Sequence, residues 1–484
     1  MPVTSAHAPL KDIFAANASK RFLLAAGAKP LSYGEFYQSA VNIGRQLQQR
    51  GIKPGDRLMI QAENSEKLLA LFVACALTGA VACPLDPLLP ASRAAAFRSR
   101  VAPALRIDEQ MLDALHAAAA QPGAAFAPVP DDADFLVVFS SGSTGEPKGI
   151  VHSLRSMMDS ADSFAALSGL NADSVVYHHF PMFYMAGIFN QFFCPLAAGG
   201  SIVIGPRFSK LQMLHFWDLP MQTGVNCLTL TPTMALLLAQ LYRNDARLQE
   251  HMSRYQAVVS TGGPLYRSVA EQFLEKFGVP LRGCYGVTEA GGSITFQSWE
   301  DALAVQSMGA AAPGTEIRAG SEAAPAEVLI RTPFMAKGYL VKGELAGIGD
   351  AEGFFHSGDL GFMRDGLLYF SGREHDLIKK GGEFVSTQQI EDLGLRNKGV
   401  TDVAAVGVPD EFWGARLVLF YVPGQGAAEP EILAEFDRLF VDGLRAIERP
   451  DKIIAVPWMP KTSIGKIVKH ELVEKYTLVN GAAA

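Results

Sequence analysis

The chain has 484 residues, of which 49% are hydrophobic and 19% are charged, and its formal net charge is −7. This length exceeds the size at which one hydrophobic core stops growing, so we expect a globular protein with at least two domains. The negative net charge gives no support to binding of nucleic acid or of an anionic membrane surface.

The cysteine content and the first residues indicate the compartment. The cysteines are five in number, lack CxxC spacing and lie mostly among apolar neighbours: Cys75, Cys83, Cys194, Cys227 and Cys284. Such a pattern predicts reduced core thiols rather than disulfides. Residues 1–7 show no secretory signal pattern, so we expect a cytoplasmic protein.

Strand-like apolar runs alternate with helical periodicity through the first three quarters of the chain. Strands are predicted at 57–60, 135–139, 201–204 and 257–260, and helices at 36–49, 153–167, 233–242 and 266–277. This alternation is typical of an α/β fold with parallel sheets. Residues 94–130 are rich in Ala and Pro and are predicted to form a surface segment of the first subdomain.

The apolar stretch 68–83 is interrupted only by Thr78 and Gly79. A membrane helix needs about 20 apolar residues, so this stretch is predicted to be a buried helix that ends at Gly79 and leads into a core strand, 80–83. No integral membrane segment is expected.

After Arg373 the pattern changes to short strands, 403–406 and 417–420, around a helix at 429–447. These elements predict a small α+β unit of about a hundred residues, a size that an ordinary domain can have.

A loop rich in Gly and hydroxyl side chains, 140–149 (SSGSTGEPKG), follows the strand predicted at 135–139. Its backbone N–H groups, its hydroxyls and Lys148 suit a polyphosphate. The Walker pattern is excluded because Pro147 stands where its second Gly is required.

Four further motifs follow in order: GCYGVTE at 283–289, SGDL at 357–360, GREHD at 372–376 with GGE at 381–383, and PKTSIGK at 460–466. Together with the loop they resemble the adenylate-forming superfamily of acyl-CoA and aryl-CoA synthetases, peptide-synthetase adenylation domains and luciferases. The resemblance implies a large N-terminal α/β domain with parallel-type sheets, 1–374, and a small mobile α+β C-terminal domain, 375–484. The hinge is expected near His375, where relatives usually carry Asp or Lys.

The reaction that the resemblance implies begins with attack of a carboxylate on the α-phosphorus of ATP, which gives an acyl-adenylate and pyrophosphate. A thiol then displaces AMP. Because the first step brings an anion to a polyanion, the site must supply cations and oriented donors.

Roles in nucleotide binding also follow from the resemblance. The β- and γ-phosphates are assigned to Ser140, Ser141, Gly142, Ser143, Thr144 and Lys148. The adenine is assigned to Tyr285 with the neighbouring Cys284, and to an opposite wall of Gly262, Gly263 and Pro264. Asp359 is expected to accept hydrogen bonds from the ribose hydroxyls, and Arg373 is expected to contact ribose or phosphate.

Three residues are expected to act in catalysis. Thr288 matches the α-phosphate contact, and Glu289 matches the Mg²⁺ ligand, an oxygen donor as this cation requires. Lys466 matches the residue that bridges the substrate carboxylate and the α-phosphate.

Gly381 and Gly382 match a loop that admits the thiol arm, since small residues allow close backbone approach. A plain β-turn is the other interpretation of this loop.

The acyl pocket is predicted from the segment 180–187 (FPMFYMAG), with Tyr184, Met185, Gly187 and also Gly286 as its residues. Tyr184 stands where relatives often have His, and Met185 stands where amino-acid-activating relatives have Asp. A buried ammonium would be unpaired beside Met185, so α-amino acids are disfavoured. Glycines at 286, 291 and 292 suggest space for the chain of a medium-chain fatty or simple aryl acid.

We therefore predict an ATP- and Mg²⁺-dependent ligase that joins an apolar carboxylic acid to coenzyme A. Two alternatives remain. The acyl group can go instead to the phosphopantetheine of an acyl carrier protein, because both acceptors use the same motifs. A non-catalytic nucleotide sensor is disfavoured by the presence of Lys466 together with Glu289, Asp359 and Arg373.

Overall fold

The computed structural model describes residues 10–480 apart from 26, 28, 119–124, 141–147, 209–211, 242–244, 264, 301–306, 342, 374–376, 381–382, 411, 463–464 and 466. The helices are α1 (Leu10–Ala16), α2 (Tyr33–Gln49), α3 (Glu66–Thr78), α4 (Ala91–Val101), α5 (Glu109–Ala117), α6 (Leu154–Ser168), α7 (Met185–Ile188), α8 (Cys194–Ala197), α9 (Asp218–Thr223), α10 (Pro232–Leu241), α11 (Ala246–Met252), α12 (Arg267–Phe277), α13 (Thr387–Gly394), α14 (Glu429–Gly443) and α15 (Lys469–Asn480).

The strands form two large sheets and two small ones. They are β1 (Arg21–Ala25), β2 (Leu31–Ser32), β3 (Arg57–Gln61), β4 (Val81–Pro84), β5 (Leu105–Asp108), β6 (Asp134–Ser140), β7 (Lys148–Ser153), β8 (Val175–His178), β9 (Ser201–Ile204), β10 (Cys227–Leu230), β11 (Ala257–Ser260), β12 (Arg282–Val287), β13 (Gly292–Phe296), β14 (Ser307–Ala311), β15 (Glu316–Arg318), β16 (Ala326–Arg331), β17 (Gly338–Val341), β18 (Glu344–Ala346), β19 (Phe355–Arg364), β20 (Leu367–Arg373), β21 (Leu377–Lys380), β22 (Glu383–Ser386), β23 (Val400–Asp410), β24 (Gly414–Pro423) and β25 (Lys452–Ala455).

Both large sheets are parallel in one part and antiparallel in the other. The seven-stranded sheet has the order β18-β17-β7-β6-β4-β3-β5, and β6, β4, β3 and β5 run parallel. The thirteen-stranded sheet has the order β15-β16-β19-β20-β14-β13-β12-β11-β10-β8-β9-β1-β2. Its strands are parallel from β12 to β1 and antiparallel from β12 to β15. The predicted α/β fold with a large N-terminal part is therefore confirmed.

One apolar core joins the two large sheets. It contains residues of α2, α3 and α6 together with inward-facing residues of β3, β4, β8 and β9. Helix α2 begins with a reciprocal cap, because Ser32 Oγ accepts from the Glu35 N–H and Glu35 Oε2 accepts from the Ser32 N–H. These caps satisfy two of the donors that every helix start leaves open.

The buried helix predicted at 68–78 is observed as α3. It ends at Gly79, whose φ of 72° lies in the left-handed region that glycine adopts without a Cβ penalty. Strand β4 follows directly, as predicted. The segment 94–130 differs from the prediction of a surface segment, because α5 buries Leu112 and Leu115 and β5 forms the edge strand of the seven-stranded sheet.

The C-terminal part is a three-stranded sheet of β23, β24 and β25 covered by α13, α14 and α15, with an apolar core of its own. The helix predicted at 429–447 ends earlier, at Gly443. The backbone N–H of Leu444 still bonds to the Phe440 carbonyl, but Leu444 itself is extended, with φ −127° and ψ 142°.

Two carboxylates of α13 join this C-terminal part to α12. Glu391 Oε2 accepts a 2.6 Å hydrogen bond from the Tyr266 hydroxyl. Asp392 Oδ1 accepts from the backbone N–H and the hydroxyl of Ser268, at 3.3 and 2.9 Å. Asp392 thus caps the first turn of a helix that belongs to the other core, where a negative charge is favoured.

Candidate functional site

Many of the predicted site residues follow the carboxyl ends of strands, where open α/β sheets bind ligands. Strand β6 ends at Ser140 and β7 begins at Lys148, and these two residues are paired across the strands. The loop residues between them, 141–147, lie outside the described part of the chain, as does the side chain of Ser140. Gly262 and Gly263 follow β11, and Thr288 and Glu289 follow β12.

Lys148 and Glu289 come from different sheets and meet at one tyrosine. The hydroxyl of Tyr339, on β17, donates a 3.0 Å hydrogen bond to Glu289 Oε1. Lys148 Nζ lies 5.2 Å from the centroid of the same ring. The predicted phosphate-loop cation and the predicted metal ligand therefore both contact Tyr339, the first at its ring and the second at its hydroxyl.

Tyr285 and Asp359, predicted to bind adenine and ribose, are directly bonded to each other. The Tyr285 hydroxyl donates to Asp359 Oδ2 at 2.7 Å, and both residues are buried. Ser357 Oγ accepts from the Asp359 N–H at 3.1 Å and so fixes the turn before it. Arg373 is the cross-strand partner of Asp359 on β20, although its side chain lies outside the described part.

The predicted acyl segment is held by two polar side chains. Gln191 Oε1 accepts from the backbone N–H groups of His179 and Phe180, at 3.0 and 2.9 Å. Asn64 donates to the Phe180 carbonyl at 2.7 Å and accepts from the Met182 N–H at 2.9 Å. The chain then enters the short helix α7 with its backbone orientation fixed.

Within this segment Tyr184 precedes α7 and Met185 is its first, buried residue. The Tyr184 hydroxyl lies 3.7 Å from the point that a Cβ on Gly262 would occupy, so the predicted acyl and adenine residues are neighbours. A Cβ on Gly187 would collide with the Pro181 carbonyl oxygen. Gly187 is therefore explained by close backbone packing.

Gly286 was predicted to leave space for the acyl chain. It is exposed, yet a Cβ built on it would collide with the backbone of Gly292 on the neighbouring strand. A Cβ on Gly292 would in turn lie 2.7 Å from the ring of Phe189. Close packing against a neighbouring strand explains Gly286, and close packing against an aromatic ring explains Gly292, without an open volume on their Cβ side. The lining of an acyl pocket by Gly286 stays a prediction.

A sequence profile described as "AMP-binding enzyme" matches residues 12–340, and one described as "AMP-binding enzyme C-terminal domain" matches residues 389–466. The first match spans more than half of the chain.

The chain belongs to the AMP-binding enzyme family.

The relatives of this AMP-binding enzyme are named as CoA ligases. It is 27% identical over 480 residues to the long-chain-fatty-acid–CoA ligase FadD13 of Mycobacterium tuberculosis, with 92% of this chain and 93% of the relative covered. It is 25% identical over 464 residues to the 2-succinylbenzoate–CoA ligase of Oceanobacillus iheyensis, with 91% and 94% covered. It is accordingly an AMP-forming acid–thiol ligase. The reaction of such a ligase consumes ATP and coenzyme A.

A solved structure shows the same fold at low identity. The chain matches the anthranilate CoA ligase AuaEII in complex with anthranoyl-AMP with a TM-score of 0.87, at 19% identity and with 98% of each chain covered. The small C-terminal part is included in this agreement.

Several predicted residues of this AMP-binding enzyme lie outside the described part of the chain. They are Ser141, Gly142, Ser143, Thr144, Pro264, His375, Gly381, Gly382 and Lys466. Their roles in phosphate binding, hinge motion, thiol access and catalysis stay predictions.

Sequence reasoning missed Tyr339, Asn64 and Gln191. Tyr339 is within a Gly-Tyr-Leu run that is typical of an ordinary strand. Asn64 stands in a polar stretch before α3, and Gln191 lies in a helical segment of mostly apolar residues. The available signal for Gln191 was a polar residue inside the run FNQFF, because a buried amide needs partners.

Three histidines near the site are buried and neutral. Burial lowers the pKa of His152 to about 4, and those of His178 and His179 to about 3. His179 Nε2 is 2.9 Å from the Thr229 carbonyl, so this nitrogen carries the proton. Within the described residues no three His, Cys, Asp or Glu side chains come together as a metal cluster.

All five cysteines are buried and unpaired in disulfides, as predicted. Burial raises the pKa of the Cys83 and Cys227 thiols to about 12 and raises that of Cys284 above its ordinary value. Cys284 directly precedes Tyr285 in the candidate site.

Across the described residues, no helix combines the length and the apolar character that a membrane crossing demands.

Proposed function

We propose that this enzyme activates an apolar carboxylic acid, fatty or aryl, with ATP and Mg²⁺ and transfers the acyl group from the adenylate to coenzyme A. The observation that carries the proposal is the meeting of Lys148 and Glu289 at Tyr339, between the two large sheets. A cationic side chain and a carboxylate at one place are what a metal-bound polyphosphate requires.

Glu289 fits a magnesium ion as its protein ligand. Mg²⁺ is commonly held by one or two carboxylates together with phosphate oxygens and water, so a cluster of acidic residues is not needed. Oε1 of Glu289 accepts the Tyr339 hydrogen bond, which leaves Oε2 for the cation. When bound, the cation would neutralise charge on the phosphates; Thr288, Lys148 and Lys466 would orient them.

Asp359 and Tyr285 would bind the nucleoside. The two oxygens of a carboxylate offer about four lone-pair sites, so Asp359 would accept from ribose hydroxyls as well as from Tyr285. Its cross-strand neighbour Arg373 supplies a positive charge on the same pair of strands. The nucleoside would thus be held by the thirteen-stranded sheet and the phosphates by residues of both sheets.

Met185 supports an apolar acid as the substrate. It is buried at the start of α7 and directly follows Tyr184, whose hydroxyl lies near the point that a Cβ on Gly262 would occupy. An α-ammonium group placed there would lose its hydration without gaining an acidic partner from Met185. The relatives include ligases named for long-chain fatty acids, for 2-succinylbenzoate and for malonate, so malonate belongs in the test of this preference.

The test is a pyrophosphate-release assay with ATP, Mg²⁺ and a panel of octanoate, benzoate, malonate and alanine, with and without coenzyme A. We expect release with octanoate or benzoate, followed by thioester formation when coenzyme A is present. We expect Met185→Asp to lower this activity at least tenfold, because a buried charge would face the apolar chain. Met185→Leu, which keeps an apolar side chain, is the matched control.

A preference for alanine or malonate would contradict the apolar substrate. Release of pyrophosphate without coenzyme A thioester, but with acylation of a phosphopantetheinylated carrier protein, would favour the alternative acceptor. Nucleotide binding with no turnover of any acid would favour the sensor.

A further inference from the structure

Tyr339 connects the two large sheets at the candidate phosphate site. It lies on β17, which pairs with β7 so that Tyr339 is opposite Ile150 and Leu340 is opposite Gly149. It is therefore one strand away from the point where the phosphate loop rejoins the seven-stranded sheet at Lys148. Its hydroxyl, however, bonds to Glu289, which follows β12 of the thirteen-stranded sheet.

The backbone around Tyr339 is fixed to both sheets. The N–H of Ala336 donates to the Glu289 carbonyl at 2.8 Å, and the N–H of Lys337 donates to the Val151 carbonyl at 2.8 Å. Lys337 Nζ also pairs with Asp134 Oδ1 at 2.7 Å. These bonds lie two and three residues before Tyr339, and Tyr339 itself pairs with Ile150, so the backbone that carries its ring is held by both sheets.

The ring and the hydroxyl of Tyr339 have separate roles in this arrangement. An ammonium over an aromatic face within about 6 Å is attracted by the ring, and Lys148 Nζ meets this criterion. The Tyr339 hydroxyl can donate a hydrogen bond, whereas an ionised carboxylate only accepts, so the bond runs from the phenol to Glu289. A hydrogen bond to a charged group is stronger than one between neutral groups.

We infer that Tyr339 is a positioning residue of the adenylation step. Its hydroxyl orients the Glu289 carboxylate so that one oxygen is kept for the cation, and its ring face holds Lys148 beside the phosphates. This inference rests on the proposed function, which assigns Glu289 to the metal.

The test compares Tyr339→Phe, which removes only the hydroxyl, with Tyr339→Leu, which also removes the ring. Binding of Mn²⁺ to the protein–ATP complex is measured by electron paramagnetic resonance, and binding of metal-free ATP by calorimetry. We expect Tyr339→Phe to weaken Mn²⁺ binding about tenfold, the value of one hydrogen bond to a charged group, with metal-free ATP binding unchanged. We expect Tyr339→Leu to weaken both.

Tyr369→Phe is the matched control. Tyr369 stacks on Phe362 with 4.9 Å between ring centroids and lies beside Arg364, toward the end of the β19–β20 pair opposite Asp359 and Arg373. We expect its loss of a hydroxyl to leave Mn²⁺ binding unchanged. The melting temperatures of all variants are compared, so that a general loss of folding is recognised.

Glu289→Gln separates the inference from the proposed function. We expect this variant to weaken Mn²⁺ binding, and the Tyr339→Phe/Glu289→Gln double variant to be no weaker than Glu289→Gln alone, because the hydroxyl acts through the carboxylate. If Glu289→Gln weakens Mn²⁺ binding and Tyr339→Phe does not, the inference on Tyr339 is overturned. If Glu289→Gln itself has no effect, the assignment of the metal to Glu289 fails.

Discussion

We expect Lys466→Ala to slow acyl-adenylate formation about 10²–10³-fold, which is the usual loss when one charged or donor group is removed from a developing transition-state charge. By resemblance, this lysine bridges the substrate carboxylate and the α-phosphate. Its charge matters while the anion attacks the polyanion, and contributes little once the adenylate has formed. The variant is therefore expected to convert supplied acyl-adenylate to thioester at nearly the parent rate.

The measurement is single-turnover kinetics of each half-reaction, so that binding and chemistry are separated. Gly382→Leu is the matched variant, because a side chain there would obstruct the thiol arm without contacting ATP. It is expected to form the adenylate and to fail in thioester formation. If both variants lost rate equally in both half-reactions, the result would contradict the expectation that the C-terminal part takes a different arrangement for each half-reaction.

The bonds between α12 and α13 bear on this prediction. Rotation of the C-terminal part would break the bonds of Glu391 to Tyr266 and of Asp392 to Ser268. Glu391 Oε1 also accepts from the Ala405 N–H and pairs with Lys469, both at 2.8 Å. These two partners move with α13, so the Glu391 carboxylate would stay partly paired after such a rotation.

The second large effect is expected for Asp359→Ala. Loss of an acceptor for the ribose hydroxyls should raise the apparent KM for ATP about 10²-fold, since each hydrogen bond to a charged group contributes about 1.5–3 kcal/mol. The same change removes a carboxylate acceptor from the buried Tyr285 hydroxyl. We expect a loss of about 1–3 kcal/mol in the free energy of unfolding, measured by urea denaturation.

Tyr285→Phe is the control that separates binding from folding. It removes the same hydrogen bond from the donor side while the carboxylate of Asp359 is kept for ribose. We therefore expect a much smaller rise in KM for ATP than with Asp359→Ala. An unchanged KM in Asp359→Ala would mean that this carboxylate serves the fold and not the nucleotide.

The sequence predicted correctly those helices and strands whose ends depend on neighbouring residues alone. Helix α3, its end at Gly79 and the strand after it follow from an apolar run and one glycine. The pairing of Asp359 with Arg373 across β19 and β20 agrees with two motifs that were recognised separately.

Contacts between distant segments could not be predicted in the same way. Tyr339 and Glu289 are 50 residues apart, and their contact depends on how the two large sheets meet. The antiparallel half of the thirteen-stranded sheet is also hard to predict from the sequence, because the short strands β13–β16 carry no long apolar run. The end of α14 at Gly443 was missed because helical residues continue in the sequence beyond it.

The burial of all five cysteines has a consequence for an enzyme that would make a mixed anhydride. An acyl-adenylate is an electrophile, and a thiolate is the form of cysteine that attacks one. Cys284 lies beside the proposed nucleotide residue Tyr285, yet its raised pKa keeps the thiol protonated. The protein would therefore resist acylation by its own intermediate, and the incoming coenzyme would meet no competing nucleophile from these side chains.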